Sequence, residues 1–147
     1  MKLKNFLPYQ LSVLSNKISQ GIALYYREQH DISIPEWRVL AILSDKKHQT
    51  AKELVIISQM DKVRISRTMK LLETKGMITE KTCQIDARAR RYNLTSNGRK
   101  LINEVKPKAL DFEKRLISSL SSDQISQLQN CIQILNIQAD KLTKEKQ

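Results

Sequence analysis

Apolar residues recur every three or four positions along most of this chain, which is the spacing of one face of an α-helix. The first such stripe predicts a helix over residues 7–30. Its members are Leu7, Leu11, Leu14, Ile18, Ile22 and Tyr25.

Two capping boxes predict the next helices. Ser33 is followed three residues later by Glu36, with Pro35 in the first turn, where a missing N–H is tolerated. Thr50 and Glu53 repeat the pattern and predict a short third helix.

A fourth helix is predicted from the N-cap Asp61 to about Lys75, where Gly76 ends it. Together with the short helix before it, this segment has the outline of a helix-turn-helix. The fourth helix carries two stripes. The apolar stripe contains Ile65, Thr68, Met69 and Leu72, and the opposite stripe contains Val63, Ser66, Arg67 and Lys70, with Lys62 and Arg64 toward the flanks.

Two stretches of strand character follow, "MITEKTC" and "RRYNL", and they predict a small β-hairpin. A fifth helix should run from about Thr95 to Ser119, kinked at Pro107, and a sixth should begin at Ser121 or Ser122. The sixth helix has a heptad seam. The seam contains Ile125, Leu128, Ile132, Leu135, Ala139 and Leu142.

The predicted fold class is therefore mainly α with a small β-hairpin, which we interpret as a wing attached to a helix-turn-helix. We expect three segments: a dimerisation helix over residues 1–32, a winged helix-turn-helix lobe over 33–100, and C-terminal dimerisation helices over 101–147. The dimer interface would use Leu7, Leu11, Leu14, Ile125, Leu128, Ile132, Leu135 and Leu142. The alternative is that these apolar stripes pack within one chain.

The net charge of the chain indicates which class of partner it binds. The chain has 26 Lys and Arg against 15 Asp and Glu, a net charge of +11, which favours a polyanionic partner. Nucleic acid is the commonest such partner, although membrane surfaces and acidic proteins also attract cations.

The sequence does not contain the residue patterns that are typical of metal sites, disulfide frameworks, enzymes or membrane proteins. Cys83 and Cys131 form no metal-binding pattern, and His30 and His48 are isolated, so we expect no metal, cofactor or disulfide framework. Both cysteines are expected to be packing residues, and the alternative is a reactive thiol, for which Cys83 is the better candidate because Lys81 and Arg88 are near it in the sequence. The sequence contains no nucleophile–base pair and no phosphate-binding loop, so we expect that the protein is not an enzyme. The start of the chain has no apolar signal region and no segment could span a membrane, so a cytoplasmic location is expected.

The fourth helix suits a DNA major groove. Arg and Lys can donate to guanine, Ser can bond bases or phosphate, and Val can contact a thymine methyl. In the hairpin, "DARARRYNLT" places Asp86 before three arginines, and Arg88 or Arg90 could enter a narrow minor groove. Asp86 could orient an arginine or simply form the turn.

These motifs resemble the MarR family of bacterial transcription regulators. "DARARRYNLT" matches the family's wing signature D-x-R-x-x-R-x-x-L-T, and "EWRVLAIL", "TAKEL", "MDKVRISRTMKLLETKGMI" and "LTSNGRKL" stand in the family's order over roughly residues 34–102. The turn "SQMD" departs from many members, which have a glycine there.

The resemblance implies a homodimeric winged helix-turn-helix repressor on a pseudo-palindromic operator. It implies residues 61–75 as the recognition helix, Arg88 as the wing arginine and Asp86 as its orienting acid. A small phenolic or lipophilic effector would release the DNA. The predicted contacts to double-stranded DNA come from Lys62, Val63, Arg64, Ser66, Arg67, Lys70, Asp86, Arg88, Arg90 and Arg91.

Two matters stay open from the sequence. Tyr25, Tyr26, His30 and Trp37 could line an effector cavity, or could be ordinary core and surface residues. The alternative function is a non-specific architectural protein that binds DNA or RNA.

Overall fold

A computed structural model of the chain describes residues 2–82 and 90–145. The fold class is the predicted one, mainly helical with a small antiparallel sheet. After a short 3-10 turn, the helices and strands follow in the order α1 (Leu7–Ala23), α2 (Arg27–His30), α3 (Ile34–Asp45), β1 (Gln49–Thr50), α4 (Ala51–Ser58), α5 (Lys62–Thr74), β2 (Ile78–Thr82), β3 (Arg90–Leu94), α6 (Ser96–Ile117) and α7 (Ser122–Lys144).

The first helix is shorter than predicted. It ends at Ala23, and a turn separates it from the single-turn helix α2. Tyr26 has a non-helical backbone, and its side chain is buried in the core, with Ala23 in the same cluster. The apolar stripe continues through this turn because the residues remain inward-facing, so spacing alone could not locate the break.

The predicted caps are confirmed. The Oγ of Ser33 accepts from the Glu36 N–H, while the Glu36 carboxylate accepts from the Ser33 N–H at 2.7 Å. Thr50 with Glu53 and Ser121 with Gln124 form the same reciprocal pairs at the starts of α4 and α7. Each box satisfies two backbone donors that a helix start would otherwise leave unpaired.

The sheet has one strand more than predicted. The order is β1-β3-β2, and all pairings are antiparallel. β1 has only two residues, Gln49 and Thr50, which pair with Tyr92 and Arg91. Two residues show no alternating pattern, so this strand could not be predicted from the sequence.

The core joins the helix-turn-helix to the base of the hairpin. Leu40, Leu43, Leu54 and Leu72 are fully buried together, and Leu94 of β3 packs into the same cluster. At the start of α6, a Cβ on Gly98 would clash with the Met77 carbonyl. A glycine at this position therefore lets α6 approach the turn that precedes β2.

The chain divides into two compact units, Met1–Ala109 and Leu110–Gln147, with the boundary inside α6. The first unit contains the core, the helix-turn-helix and the sheet. The second contains the end of α6 and all of α7, and α7 has no buried residue. Within the described residues, no helix is long and apolar enough to cross a membrane.

Candidate nucleic-acid interface

Helix α5 presents the two faces that its sequence predicts. The Asp61 carboxylate accepts from the Arg64 N–H at 2.8 Å and starts the helix. Ile65, Thr68, Met69 and Leu72 are buried. The six predicted contact residues that lie in α5 are exposed, and they are Lys62, Val63, Arg64, Ser66, Arg67 and Lys70.

This exposed face holds cations with no partner in the described part of the chain. Lys62, Arg64, Arg67 and Lys70 make no ion pair with any residue in the ranges 2–82 and 90–145. Val63 is 64% exposed, a large apolar surface in a basic stripe. The side chains are thus available for phosphates, base edges and a thymine methyl.

The turn before α5 forms without glycine. Gln59 adopts a left-handed backbone with φ of 54°, and the Met60 N–H donates to the Ser58 Oγ at 3.2 Å. The Gln59 side chain also donates to the Ile56 carbonyl at 2.7 Å, and Met60 is buried. Local hydrogen bonds and the buried methionine therefore hold a conformation that glycine adopts at lower cost.

A buried ion pair ties the end of α5 to the start of α3. The Lys75 Nζ lies 2.8 Å from Oε1 of Glu36, and it also donates to the Asp31 carbonyl. The second Glu36 oxygen accepts from the Ser33 Oγ at 2.6 Å. Burial by itself lowers the pKa of Lys75, but hydrogen bonding and charge from Glu36 and Asp31 outweigh it, so the pKa is raised.

Both arginines of β3 make ion pairs that brace the hairpin. The Arg90 Nε lies 3.3 Å from Oε1 of Glu80 on the neighbouring strand. Arg91 donates to the His48 carbonyl at 2.7 Å and lies 3.6 Å from the Glu53 carboxylate. Both side chains are therefore engaged within the chain. The predicted wing-tip residues Asp86 and Arg88, and the nearby Cys83, lie outside the described residues.

Glu53 links this brace to the cap of α4. The Thr50 N–H donates to its carboxylate at 2.7 Å and lowers its pKa, and Arg91 lowers it further. The first turn of α4, at the start of the helix-turn-helix, is thereby fixed to β3.

Of the four residues predicted for an effector cavity, one is buried in the core and three are half-buried. Tyr26 is 1% exposed and stacks on Trp37, with ring centroids 5.0 Å apart. Burial raises the pKa of Tyr26 to about 12. His30 is half-buried with its Nε2 3.3 Å from Glu104, and Tyr25 is also half-buried. Tyr26 is thus a core residue, which was the alternative interpretation of this group.

A cavity of about 330 Å³ does lie beside Trp37. Its lining includes Ala41 and Ser44 of α3 with Ile102 and Lys106 of α6. Among the described residues that line it, Trp37 is the only one of the four predicted for an effector cavity. It is within the size range of small-ligand sites.

Sequence reasoning missed the residues that position the interface. These residues contact partners tens of residues away in the sequence, and they are Glu36 with Lys75 and His48 with Asn93. The His48 N–H, for example, donates to the side-chain Oδ1 of Asn93 at 3.1 Å. The capping box identified Glu36, but no local pattern connects it to Lys75. Among described residues, no group of three or more potential ligands could hold a metal ion.

A two-helix element with an exposed cationic second helix, followed by a braced antiparallel hairpin, defines a winged helix-turn-helix DNA-binding protein. A family model for the MarR family matches residues 30–89, which include the helix-turn-helix and the first long strand of the hairpin. This match and the fold make the chain similar to MarR-family transcription regulators, and they support a role in DNA binding and regulation.

Solved structures agree over nearly the whole chain. A MarR/EmrR family transcriptional regulator from Acinetobacter sp. ADP1 is 26% identical, with a TM-score of 0.88, over 96% of this chain and 99% of that one. A MarR family regulator from Silicibacter pomeroyi DSS is 27% identical, with a TM-score of 0.80, over 97% and 93%. Wild-type MarR from E. coli in its apo form shares the fold at 19% identity, with a TM-score of 0.72, over 88% and 96%.

Proposed function

We propose that this chain is a homodimeric repressor that reads a pseudo-palindromic operator in double-stranded DNA and releases it when a small effector binds. The observation that carries the proposal is the exposed stripe of α5, where four cations, a hydroxyl and a valine face outward beside a buried apolar stripe. Arg67 and Ser66 lie at its centre and are assigned to base edges, and the flanking Lys62 and Arg64 are assigned to phosphates.

The hairpin supplies the second contact. β2 and β3 are in register from Ile78 with Leu94 to Thr82 with Arg90, so residues 83–89 connect two fixed strand ends. We assign Arg88 to the minor groove and Asp86 to its orientation. Because Arg90 and Arg91 are engaged within the chain, we assign them mainly to bracing the wing.

Dimerisation is supported by apolar side chains that the chain leaves exposed. Helix α7 has 23 residues and buries none, although its seam is apolar. Leu128, Ile132, Leu135 and Leu142 are each between 42% and 52% exposed. Leu7, Leu11 and Leu14 of α1 are similarly exposed. We therefore assign residues 1–32 and 101–147 to dimerisation and residues 33–100 to DNA binding. A two-fold dimer would space the half-sites by about 34–36 Å, one turn of DNA.

The effector site is assigned to the cavity beside Trp37. The cavity beside Trp37 supports a small lipophilic or phenolic ligand, because its wall combines an indole with Ala41 and Ile102.

Selection of bound fragments from genomic DNA, followed by footprinting, tests the proposal. We expect a protected site with two inverted half-sites and competition by random duplex that is at least about 1,000-fold weaker at fixed salt. Equal competition by random duplex would instead support a non-specific architectural protein.

Two substitutions distinguish recognition of DNA bases by α5 from electrostatic binding of DNA by the wing. Arg67→Ala should relax the preference at one base position in each half-site, at a cost of about 1–3 kcal/mol per contact. Arg88→Ala should reduce the slope of log affinity against log salt by about one per subunit. Lys141→Ala is the charge-matched control outside α5 and the wing. Unchanged affinity in Arg88→Ala would reject the wing assignment, and a uniform loss in Arg67→Ala would make Arg67 a phosphate contact.

A further inference from the structure

A second cavity lies on the other face of the wing sheet. Successive residues of a strand point to opposite faces. Tyr92 points to the face of the sheet that packs toward α5, where it lines a groove together with Ser66 and Met69. Its neighbour Asn93 and the paired Thr79 point to the opposite face, where they line a cavity of about 770 Å³ at the end of α3 and the start of α6. We call this cavity the rear pocket.

The rear pocket is strongly cationic. Lys47, Lys81 and Arg99 line it together with His48, and none of its lining residues in the described part of the chain is acidic. Lys47 and Lys81 make no ion pair within the described ranges 2–82 and 90–145. Three uncompensated cations around one concavity create a local potential that concentrates small anions.

The Arg99 guanidinium is fixed in place without being neutralised. It donates to the Leu94 carbonyl at 2.7 Å and to the Ser96 Oγ at 3.2 Å, and both acceptors are uncharged. A cation held by neutral acceptors keeps its charge for a ligand and loses little conformational entropy on binding.

Asn93 places an unsatisfied polar group next to the rear pocket. Its carbonyl oxygen accepts from the His48 N–H at 3.1 Å, which fixes the orientation of the amide. Its Nδ2 is then inaccessible to solvent and has no acceptor among the described residues. Buried donors are nearly always paired, so this amide is a polar group that the described residues leave unsatisfied beside the cationic cavity.

We propose that the rear pocket binds a small phosphate-bearing molecule. Arginine and lysine side chains together match the several oxygens and multiple charge of a phosphate. The pocket also lies at the first turn of the 22-residue helix α6, where Ser96 lines it and the helix dipole favours an anion. Its volume suits a metabolite.

The occupied pocket should weaken DNA binding. A phosphate would neutralise the cations at the back of the wing, and it would reduce the field that attracts DNA to the front. This regulatory part rests on the proposed DNA-binding function, whereas the binding part does not.

Calorimetry with inorganic pyrophosphate, at constant ionic strength set with chloride, tests the binding part. We expect one site per chain, weakened at least about tenfold in the Lys47→Gln, Lys81→Gln double variant. Asn93→Asp keeps the acceptor for the His48 N–H and the side-chain shape but adds a negative charge at the wall of the pocket, so it should also weaken binding. The Lys62→Gln, Lys70→Gln double variant removes two cations from the DNA face and should bind pyrophosphate as the parent does.

Three results would overturn the proposal. The first is no binding of pyrophosphate by the parent chain, and the second is an equal loss in the Lys62→Gln, Lys70→Gln control, which would show only general attraction of polyanions. The third is that the Lys47→Gln, Lys81→Gln variant loses operator affinity and salt dependence while pyrophosphate has no effect on the parent. That result would make the pocket a contact for DNA phosphates. Failure of operator selection together with intact pyrophosphate binding would reject the proposed function alone.

Discussion

Replacement of Lys75 with methionine should destabilise the chain by about 3 kcal/mol at pH 7, because it leaves a buried carboxylate without its cation. Glu36 is 2% exposed, and Lys75 Nζ is its only cationic partner in the described chain, at 2.8 Å. Loss of one member of a buried pair costs about 3–5 kcal/mol. The lower end applies here because Glu36 keeps two hydrogen bonds from Ser33.

The reverse change should cost less. Glu36→Gln removes the charge but leaves Lys75, whose side chain is 25% exposed and can reach water. We expect a loss of about 2 kcal/mol from the weakened capping box and the lost pair. The double variant should be less destabilised than the sum of the two, by about 2 kcal/mol, because neither ion then remains unpaired.

Urea unfolding at one fixed protein concentration measures these free energies. With a slope of about 2 kcal/mol/M, Lys75→Met should lower the midpoint by roughly 1.5 M. The raised pKa of Lys75 means that its contribution is fully present below the unfolded lysine pKa, near 10.4, and is lost as pH rises through the folded value, so pH 7 captures all of it. Lys100→Met, on an exposed lysine of α6, is the matched control and should change stability by less than about 0.5 kcal/mol. Additive single effects, or a Lys75→Met loss no larger than the control, would refute the coupling.

Two further predictions concern the α4 cap and the dimer. Because hydrogen bonding from Thr50 lowers the pKa of Glu53, the stability it contributes is present above about 4.5 and is lost as pH falls through the lowered folded value. The difference in urea midpoint between the parent and Glu53→Gln should therefore be largest at pH 7 and shrink by pH 3.5, and a constant difference would contradict the assigned role. Light scattering should give the parent a mass of twice 17.1 kDa, which Ile132→Asp should reduce toward the monomer while Asn130→Asp, on the opposite side of α7, should not. Unchanged mass in Ile132→Asp would remove the seam from the interface.

The features predicted correctly from the sequence depend on interactions within a few residues. Capping boxes join positions three apart, and Asp61 and Gly76 bound α5 by local geometry. The two faces of α5 follow from helical period alone. The position of α5 and its division into a buried and an exposed face can therefore be predicted from the sequence.

The features that were missed depend on residues far apart in the chain. β1 exists because Gln49 and Thr50 meet β3 more than 40 residues later, and Lys75 meets Glu36 across two helices. The rear pocket draws on α3, both long strands and α6. Such sites have no periodic signal, since their residues come together only when the core packs. The break after Ala23 was missed for a related reason, because tertiary burial of Tyr26 decides it.

The bond from Arg91 to the His48 carbonyl limits how the wing can be exchanged between relatives. The third strand of the wing sheet, the acceptor for Arg91 and the carboxylate that pairs with it all come from residues 48–53. A graft of residues 78–94 alone would place a foreign hairpin against this chain's own short strand and cap. A chimaera designed to transfer operator preference should therefore carry residues 48–53 together with the hairpin, so that the two segments move as one module.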